Sequence, residues 1–483
     1  MAPYTAEMEL HISLVGRKDL SGEIYRQLRR AIVEGQLRPG DPLPPSRELA
    51  RQLTVSRTTI TGVYDRLAGE GFVTSRVGAG TVVSENLAST RSRPKNKRIG
   101  AALRARPVWN AIWLPPMIFA QPPRFDFRSG LPDAALFPHD AWRRLMGRQL
   151  RSEAESTIVY DNPAGNRGLR EAIARHIAVS RGVEASADDV IVTNGTQQAL
   201  DVIARVLLSP GDHIAVEDPG YSLARWAFAA LGLRVTGVAV DRDGLDVDAL
   251  PRQARAVYVT PSHQYPLGVS MALPRRLALL AWADRHNTAV IEDDYDSEFR
   301  FGGRPIEPLR MLDTTGRVIY IGSFSKTLLP TLRLGFVVVP PSLREAVHKA
   351  KLVTDWHTST TIQAVLADFI DGGGFARHLR KAREVYRARH RMIADALARD
   401  FADHLEVIPS TTGLHIAAVA RTASAGRIGA VVRRACDAGV AVQELSRFGV
   451  DSPGPSGLLL GYGAIPTASI EDGLRRLRSC FYH

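Results

Sequence analysis

Apolar residues recur at helical spacing from Ser21 onward: Ile24, Leu28 and Ile32 share one face, and Gly35 followed by Pro39-Gly40 closes the segment. Ser46 is placed to cap a short second helix that carries Leu49 and Leu53 and stops near Thr54. Ser56 then caps a third helix over Arg57–Gly69, with Ile60, Val63, Tyr64 and Leu67 as its apolar stripe. Arg57, Thr58, Thr59 and Arg66 face outward on that helix. Past Gly71 the period changes to alternation over residues 72–83 around a glycine turn, as in a two-stranded wing. Residues 15–84 therefore read as one unit.

Between residues 85 and 124 periodicity disappears and Ser, Arg, Lys, Asn and Pro dominate, most densely at 91–98. This is a linker, serving either as a solvated spacer or as an extra phosphate contact. Residues 125–483 alternate helical blocks with short apolar runs at 190–193, 213–216, 256–259, 289–291 and 318–321. That alternation predicts an α/β domain with a mostly parallel sheet. Several runs end in glycine, acidic or serine-rich segments, where ligands bind in open α/β sheets.

A chain of 483 residues that is 45% hydrophobic has enough core for two or more domains. The 62 Lys+Arg against 50 Asp+Glu give +12, and residues 1–98, with sixteen basic and ten acidic side chains, hold half of that excess. The amino-terminal unit is thus the expected partner of a polyanion. Only Cys436 and Cys480 are present, which excludes a disulfide framework and points to a reducing compartment. The first twenty residues have no secretory pattern, and the longest uncharged stretch, 108–123, is broken by four prolines. A cytoplasmic protein with no membrane partner is expected.

The amino-terminal wording is specific: Pro44-Pro45-Ser46-Arg47-Glu48-Leu49-Ala50, then Val55-Ser56-Arg57-Thr58-Thr59, Tyr64, Gly71-Phe72 and the glycine wing. It resembles the winged helix-turn-helix of GntR-type regulators. The resemblance implies that Arg47, Ser56, Arg57, Thr58 and Thr59 face a double-stranded DNA operator. Arg76, Gly78 and Gly80 would bring the wing to a backbone or minor groove.

The carboxy-terminal part carries the chemistry. Ile321-Gly322-Ser323-Phe324-Ser325-Lys326 puts a lysine among small hydroxyl residues after an apolar run, and Arg333 follows. These types suit a reactive amine beside a phosphate. Upstream, Glu292-Asp293-Asp294-Tyr295 places carboxylates at a strand end. Taken alone they are also metal-ligand types, but no histidine or further acid recurs at ligand spacing nearby, and no metal is expected. The turn Thr193-Asn194-Gly195-Thr196-Gln197 offers backbone amides to a phosphate, and Tyr221 in Glu217-Asp218-Pro219-Gly220-Tyr221 is a candidate stacking ring.

These segments follow the order and spacing of class I/II aminotransferases. The wording at 260–266 and 293–299 resembles the MocR branch of GntR-type regulators, so the resemblance covers both domains. It implies a fold-type I domain binding pyridoxal 5'-phosphate (PLP), with Lys326 as the Schiff-base lysine and Asp293 on the pyridine nitrogen. It further implies Tyr295 on the phenolic oxygen, Tyr221 on the ring, and Gly195, Thr196, Gln197, Ser323, Ser325 and Arg333 around the phosphate. A homodimer is implied as well, in which Tyr160 reaches the neighbour's phosphate. Three departures stand out. Leu267 replaces a usual Thr or Ser, Tyr265 a usual Asn, and the leucines of 457–463 occupy the place of the arginine that holds a substrate carboxylate, leaving Arg447 as the nearest preceding candidate. The expected function is a transcription regulator that senses PLP or an amino compound. The alternative is an active aminotransferase with a DNA-binding appendage.

Overall fold

The computed structural model describes residues 19–76, 80–85, 104–112, 123–154, 160–302, 307–421, 425–450 and 453–482. Gly78 of the expected wing lies outside them. The chain divides into two units, Met1–Arg104 and Ala105–His483.

In the first unit, helices α1 (Leu20–Glu34), α2 (Ser46–Gln52) and α3 (Arg57–Gly69) precede a hairpin of β1 (Val73–Arg76) and β2 (Gly80–Val83). Ile24, Leu28 and Ile32 of α1 meet Leu49, Ile60, Val63 and Leu67 in one core, which Val73 and Val83 extend. The apolar stripes read from the sequence are the faces that pack. Ser56 caps α3, its Oγ accepting from the Thr59 amide at 3.1 Å. Ser46 does not cap α2. Pro45 takes the cap position at φ −55°, and its carbonyl accepts from the Glu48 and Leu49 amides, so the helix begins at Ser46 itself. Arg66 is exposed, as expected, with its guanidinium over the Tyr25 ring at 3.8 Å.

The second unit is built on an eight-stranded sheet: β3 (Val190–Thr193), β4 (His213–Asp218), β5 (Arg234–Asp241), β6 (Gly244–Leu245), β7 (Ala254–Val259), β8 (Ala289–Asp294), β9 (Val318–Ser323) and β10 (Gly335–Val338). Their order is β3-β10-β9-β8-β7-β4-β5-β6. The run from β9 to β5 is parallel, as the alternation of runs and helical blocks predicts. β10 is antiparallel and inserts between β9 and β3, so a four-residue segment inconspicuous in the sequence becomes an interior strand. β5 also escaped the apolar pattern, because most of its residues are only partly covered.

A second sheet, wholly antiparallel, holds β11 (Leu405–Val407), β12 (His415–Ala420), β13 (Gln443–Glu444) and β14 (Gly457–Gly461) in the order β11-β12-β14-β13. Every residue of β14 is buried. Among the described residues no helix is long and apolar enough to cross a membrane.

Candidate functional site

The carboxyl ends of β7, β8 and β9 open onto a cavity of about 240 Å³ that takes in Asp293, Tyr295, Lys326, Arg333, Tyr221 and His415. Strand alternation explains which acid of the β8 run reaches it, since neighbours on a strand point to opposite faces. Glu292 turns away and accepts from the amides of Leu309 and Arg310 at 2.8 and 2.9 Å. Asp294 also turns away, pairing with Arg181 at 2.7 Å and accepting from the Tyr320 hydroxyl at 2.7 Å. Asp293 alone of the three lines the cavity.

Asp293 is buried, and its Oδ2 accepts a 2.9 Å hydrogen bond from the hydroxyl of Tyr258, while Oδ1 has no partner. Burial pushes its carboxyl up to about 7, with the Tyr258 hydroxyl pulling the other way. Lys326 donates to the carbonyl of Gly130 at 2.9 Å. Burial lowers its pKa from the ordinary lysine range, against the opposing charges of Asp296 and Asp293. A lysine held this way has a larger fraction of neutral, nucleophilic amine.

The phosphate-type residues gather at one end. Arg333 donates from Nη2 to the carbonyl of Asn194 at 2.7 Å, and a side chain at Gly195 would come within 2.8 Å of the same nitrogen. Gly195 sits at φ +79°, so glycine is required there both for conformation and for space. Thr196 opens the helix Thr196–Leu207, whose first amides have no carbonyl partner within the helix. Ser323 and Ser325 are buried beside Lys326, and the Ser325 amide donates to Ser323 Oγ at 3.1 Å. Gln197 donates to the Tyr221 hydroxyl at 3.1 Å, holding that ring at the cavity wall.

Tyr295 lines the cavity, but its hydroxyl is engaged with His263, donating to the carbonyl at 2.8 Å and lying 3.1 Å from Nδ1. His263 Nδ1 also sits 3.1 Å from both oxygens of Asp296, and the His263 ring lies tilted at 31° to that of His415, with centroids 4.4 Å apart. These three buried groups have ligating atoms within 4.8 Å of one another, a convergence that the spacing around Asp293 did not announce. The Asp296 carboxylate is already occupied by His263 and by the Leu414 amide at 3.1 Å. Tyr258 and His415 were missed from sequence: the first stands inside an apolar run, and the second lies more than one hundred residues from the acid it joins.

The place of the absent arginine is filled by core. Leu459 packs with Leu267, Ala417 and Leu445. Arg447 lines a separate cavity with Trp226 and Phe448 and lies 3.7 Å from Glu444. Tyr160 is exposed, its ring stacked 4.3 Å from that of Trp356.

In the first unit, Arg47, Ser56, Arg57 and Thr58 are exposed and Thr59 is partly so. The hydroxyl of Ser56 lies 2.7 Å from that of Thr58 and 2.8 Å from that of Thr59, tying the start of α3 into one polar cluster next to Arg57. Arg76 ends β1 opposite Gly80, which has φ +77°.

Residues 20–83 match the family described as bacterial regulatory proteins, gntR family, and residues 127–477 match aminotransferase class I and II. The chain is 38% identical over 469 residues, 95% of its own length and 93% of the relative's, to the probable rhizopine catabolism regulatory protein MocR of Rhizobium meliloti. The chain belongs to the MocR branch of the GntR family. It is a transcription regulator in which a winged helix-turn-helix and an aminotransferase-like domain share one chain. This MocR-type regulator is also 31% identical over 453 residues to the pyridoxine biosynthesis regulator PdxR of Corynebacterium glutamicum, covering 94% of this chain and 93% of that protein. Its second unit is similar to the kynurenine aminotransferase of Pyrococcus horikoshii, with TM-score 0.70 and 28% identity over 79% of this chain and 95% of that one. It is also similar to LysN of Thermus thermophilus, solved with N-(5'-phosphopyridoxyl)-L-leucine, at TM-score 0.68 and 31% identity over 74% and 92%. The aminotransferase class I fold and these neighbours imply that the MocR-type chain binds PLP, and the GntR unit implies that it binds DNA.

Proposed function

We propose that PLP is held covalently at Lys326 and that an amino compound arriving at this site changes how the protein binds its operator. The observation that carries the reading is the unpartnered, buried Oδ1 of Asp293 in the same cavity as the lowered amine of Lys326. A carboxylate with a free oxygen in an apolar surround is matched by a protonated pyridine nitrogen. When bound, PLP supplies a carbonyl carbon that reacts with amines and a ring that withdraws electrons. The chain's own groups do the rest. Asp293 counters the ring nitrogen, Tyr221 covers the ring, and Tyr295 stands beside it. Gly195, Thr196, Gln197, Ser323, Ser325 and Arg333 receive the phosphate.

DNA recognition falls to residues 15–84. Arg57 with Ser56, Thr58 and Thr59 enters a major groove, Arg47 meets phosphate, and the wing with Arg76, Gly78 and Gly80 follows the backbone. Residues 85–124 link this unit to residues 125–483, and a cytoplasmic homodimer presents two winged units to two half-sites. Coupling requires the amino compound to bind the two DNA-affinity states unequally. The test is Lys326→Ala in the full-length protein. Expected is a folded protein that has lost the visible absorbance of lysine-bound cofactor and the response of operator affinity to amines. Retention of that absorbance removes Lys326 from the role.

A further inference from the structure

Away from the cofactor site, positive charge gathers on one helix of the second unit. The helix His139–Ala154 buries Trp142 in the core, with Leu145 and Met146 packed against it. Arg144, Arg148 and Arg151 are all exposed on this helix, and their spacing of four and three residues makes them neighbours in one stripe. The stripe borders a surface cavity of about 720 Å³, which Arg143 and Arg377 also line. Gly147, Gly372 and Gly374 stand there too, so part of the wall is bare backbone.

The acids nearby do not balance these guanidiniums. Asp368 is the one acid among the described residues lining the cavity, against five arginines. Its Oδ2 accepts from Gln149 at 2.9 Å and lies 3.6 Å from Arg148. Arg143 pairs with Asp140 at 3.1 Å, an exposed pair that water largely screens. Arg144 and Arg151 have no ion-pair partner among the described residues. The helix Gly374–Asp400 starts at the same cavity without a side-chain cap, so the positive end of its dipole adds to the excess.

A surplus arranged as a row selects its partner by shape as well as sign. From Arg144 to Arg151 the stripe runs about 10 Å along the helix axis. Guanidinium forks match phosphate oxygens, and a row of them fits a chain of phosphates better than it fits one small anion. The polyanion that the GntR unit brings to this chain is DNA.

We infer that the aminotransferase-like unit carries a DNA contact of its own, in which Arg144, Arg148 and Arg151 hold the phosphate backbone without reading sequence. The inference takes DNA as the partner from the GntR unit and is independent of what binds at Lys326.

The full-length protein is titrated by fluorescence anisotropy against a labelled random-sequence duplex of about 60 base pairs, between about 50 and 200 mM salt. In the triple variant Arg144→Gln, Arg148→Gln, Arg151→Gln the slope of log affinity against log salt is expected to be shallower by about 2–3, since each phosphate contact contributes about 0.9. Affinity at the low-salt end falls roughly ten-fold or more, and the thermal midpoint stays at the wild-type value. The control triple variant Arg242→Gln, Arg399→Gln, Arg475→Gln removes the same charge from other exposed positions of the second unit. Its slope should change by less than about one. An unchanged slope in the stripe variant overturns the inference, and if pyrophosphate binding is lost there instead, the stripe is a small-anion site. Equal losses in the two triple variants overturn it as well, because net charge alone then accounts for the effect. Either result leaves DNA binding by the first unit standing, whereas absence of DNA binding by the wild type at every salt concentration overturns both.

Discussion

Tyr258 donates a 2.9 Å hydrogen bond to one oxygen of Asp293 and leaves the other without a partner. The pair lies on adjacent parallel strands, β7 and β8, whose register sets Tyr258 against Ile291. The tyrosine anchors the carboxylate and limits the rise that burial imposes on it, while the second oxygen is buried with its hydrogen-bonding capacity unused.

Tyr258→Phe removes that anchor and leaves two buried oxygens unpaired. PLP affinity is expected to fall several-fold, a loss on the order of 1–2 kcal/mol for one hydrogen bond to a carboxylate. Equilibrium dialysis against PLP measures it, and unchanged affinity contradicts the anchoring role.

Asp293 has its folded pKa raised to about 7, well above the ordinary carboxylate range, with burial as the chief cause. A group of this kind contributes stability below its unfolded pKa and loses it as pH rises through the folded value. The cofactor-free protein should therefore lose stability between about pH 4 and pH 7. Asp293→Asn should flatten that slope and abolish PLP binding at the same time. Thermal melts across this range in both proteins provide the check, and identical slopes contradict the assignment.

Gly195→Ala places a methyl group within 2.8 Å of Arg333 Nη2 at a backbone with φ +79°. The expected cost is about 1–3 kcal/mol in stability of the cofactor-free protein. Weaker binding of inorganic phosphate should accompany it, since Arg333 must move. Calorimetry on the two proteins separates these effects.

Arg57→Ala should weaken operator binding by about 1–3 kcal/mol if the arginine reads a base, with PLP content unchanged. A uniform loss across sequences and a salt slope smaller by about one would instead make it a phosphate contact. Gel-shift titrations at several salt concentrations distinguish the two.

Ser56→Ala removes the α3 cap that the Thr59 amide uses. Stability of the first unit should fall by about 0.5–2 kcal/mol, with operator affinity falling alongside. Differential scanning calorimetry should show the transition of the first unit move down and that of the second stay.

The three helices were legible in the chain because their apolar stripes at Ile24, Leu28, Ile60 and Val63 are local patterns of period 3.6 that need no distant partner, and the wing because its residues alternate around a glycine turn. The parallel strands of the second unit other than β5 were legible in their short apolar runs, as were Lys326 and Asp293, which line one cavity, each sitting in a short segment of distinctive order. Which groups meet across long separations follows only from how the elements pack. β10 became an interior strand because β9 and β3 flank it, and nothing in four residues encodes that insertion. His415 joined Asp296 and His263, and Tyr258 joined Asp293, because strands far apart in the chain converge at one end of a sheet. Local pattern follows from backbone geometry, whereas the pairing and charge state of a buried polar group depend on every element packed around it.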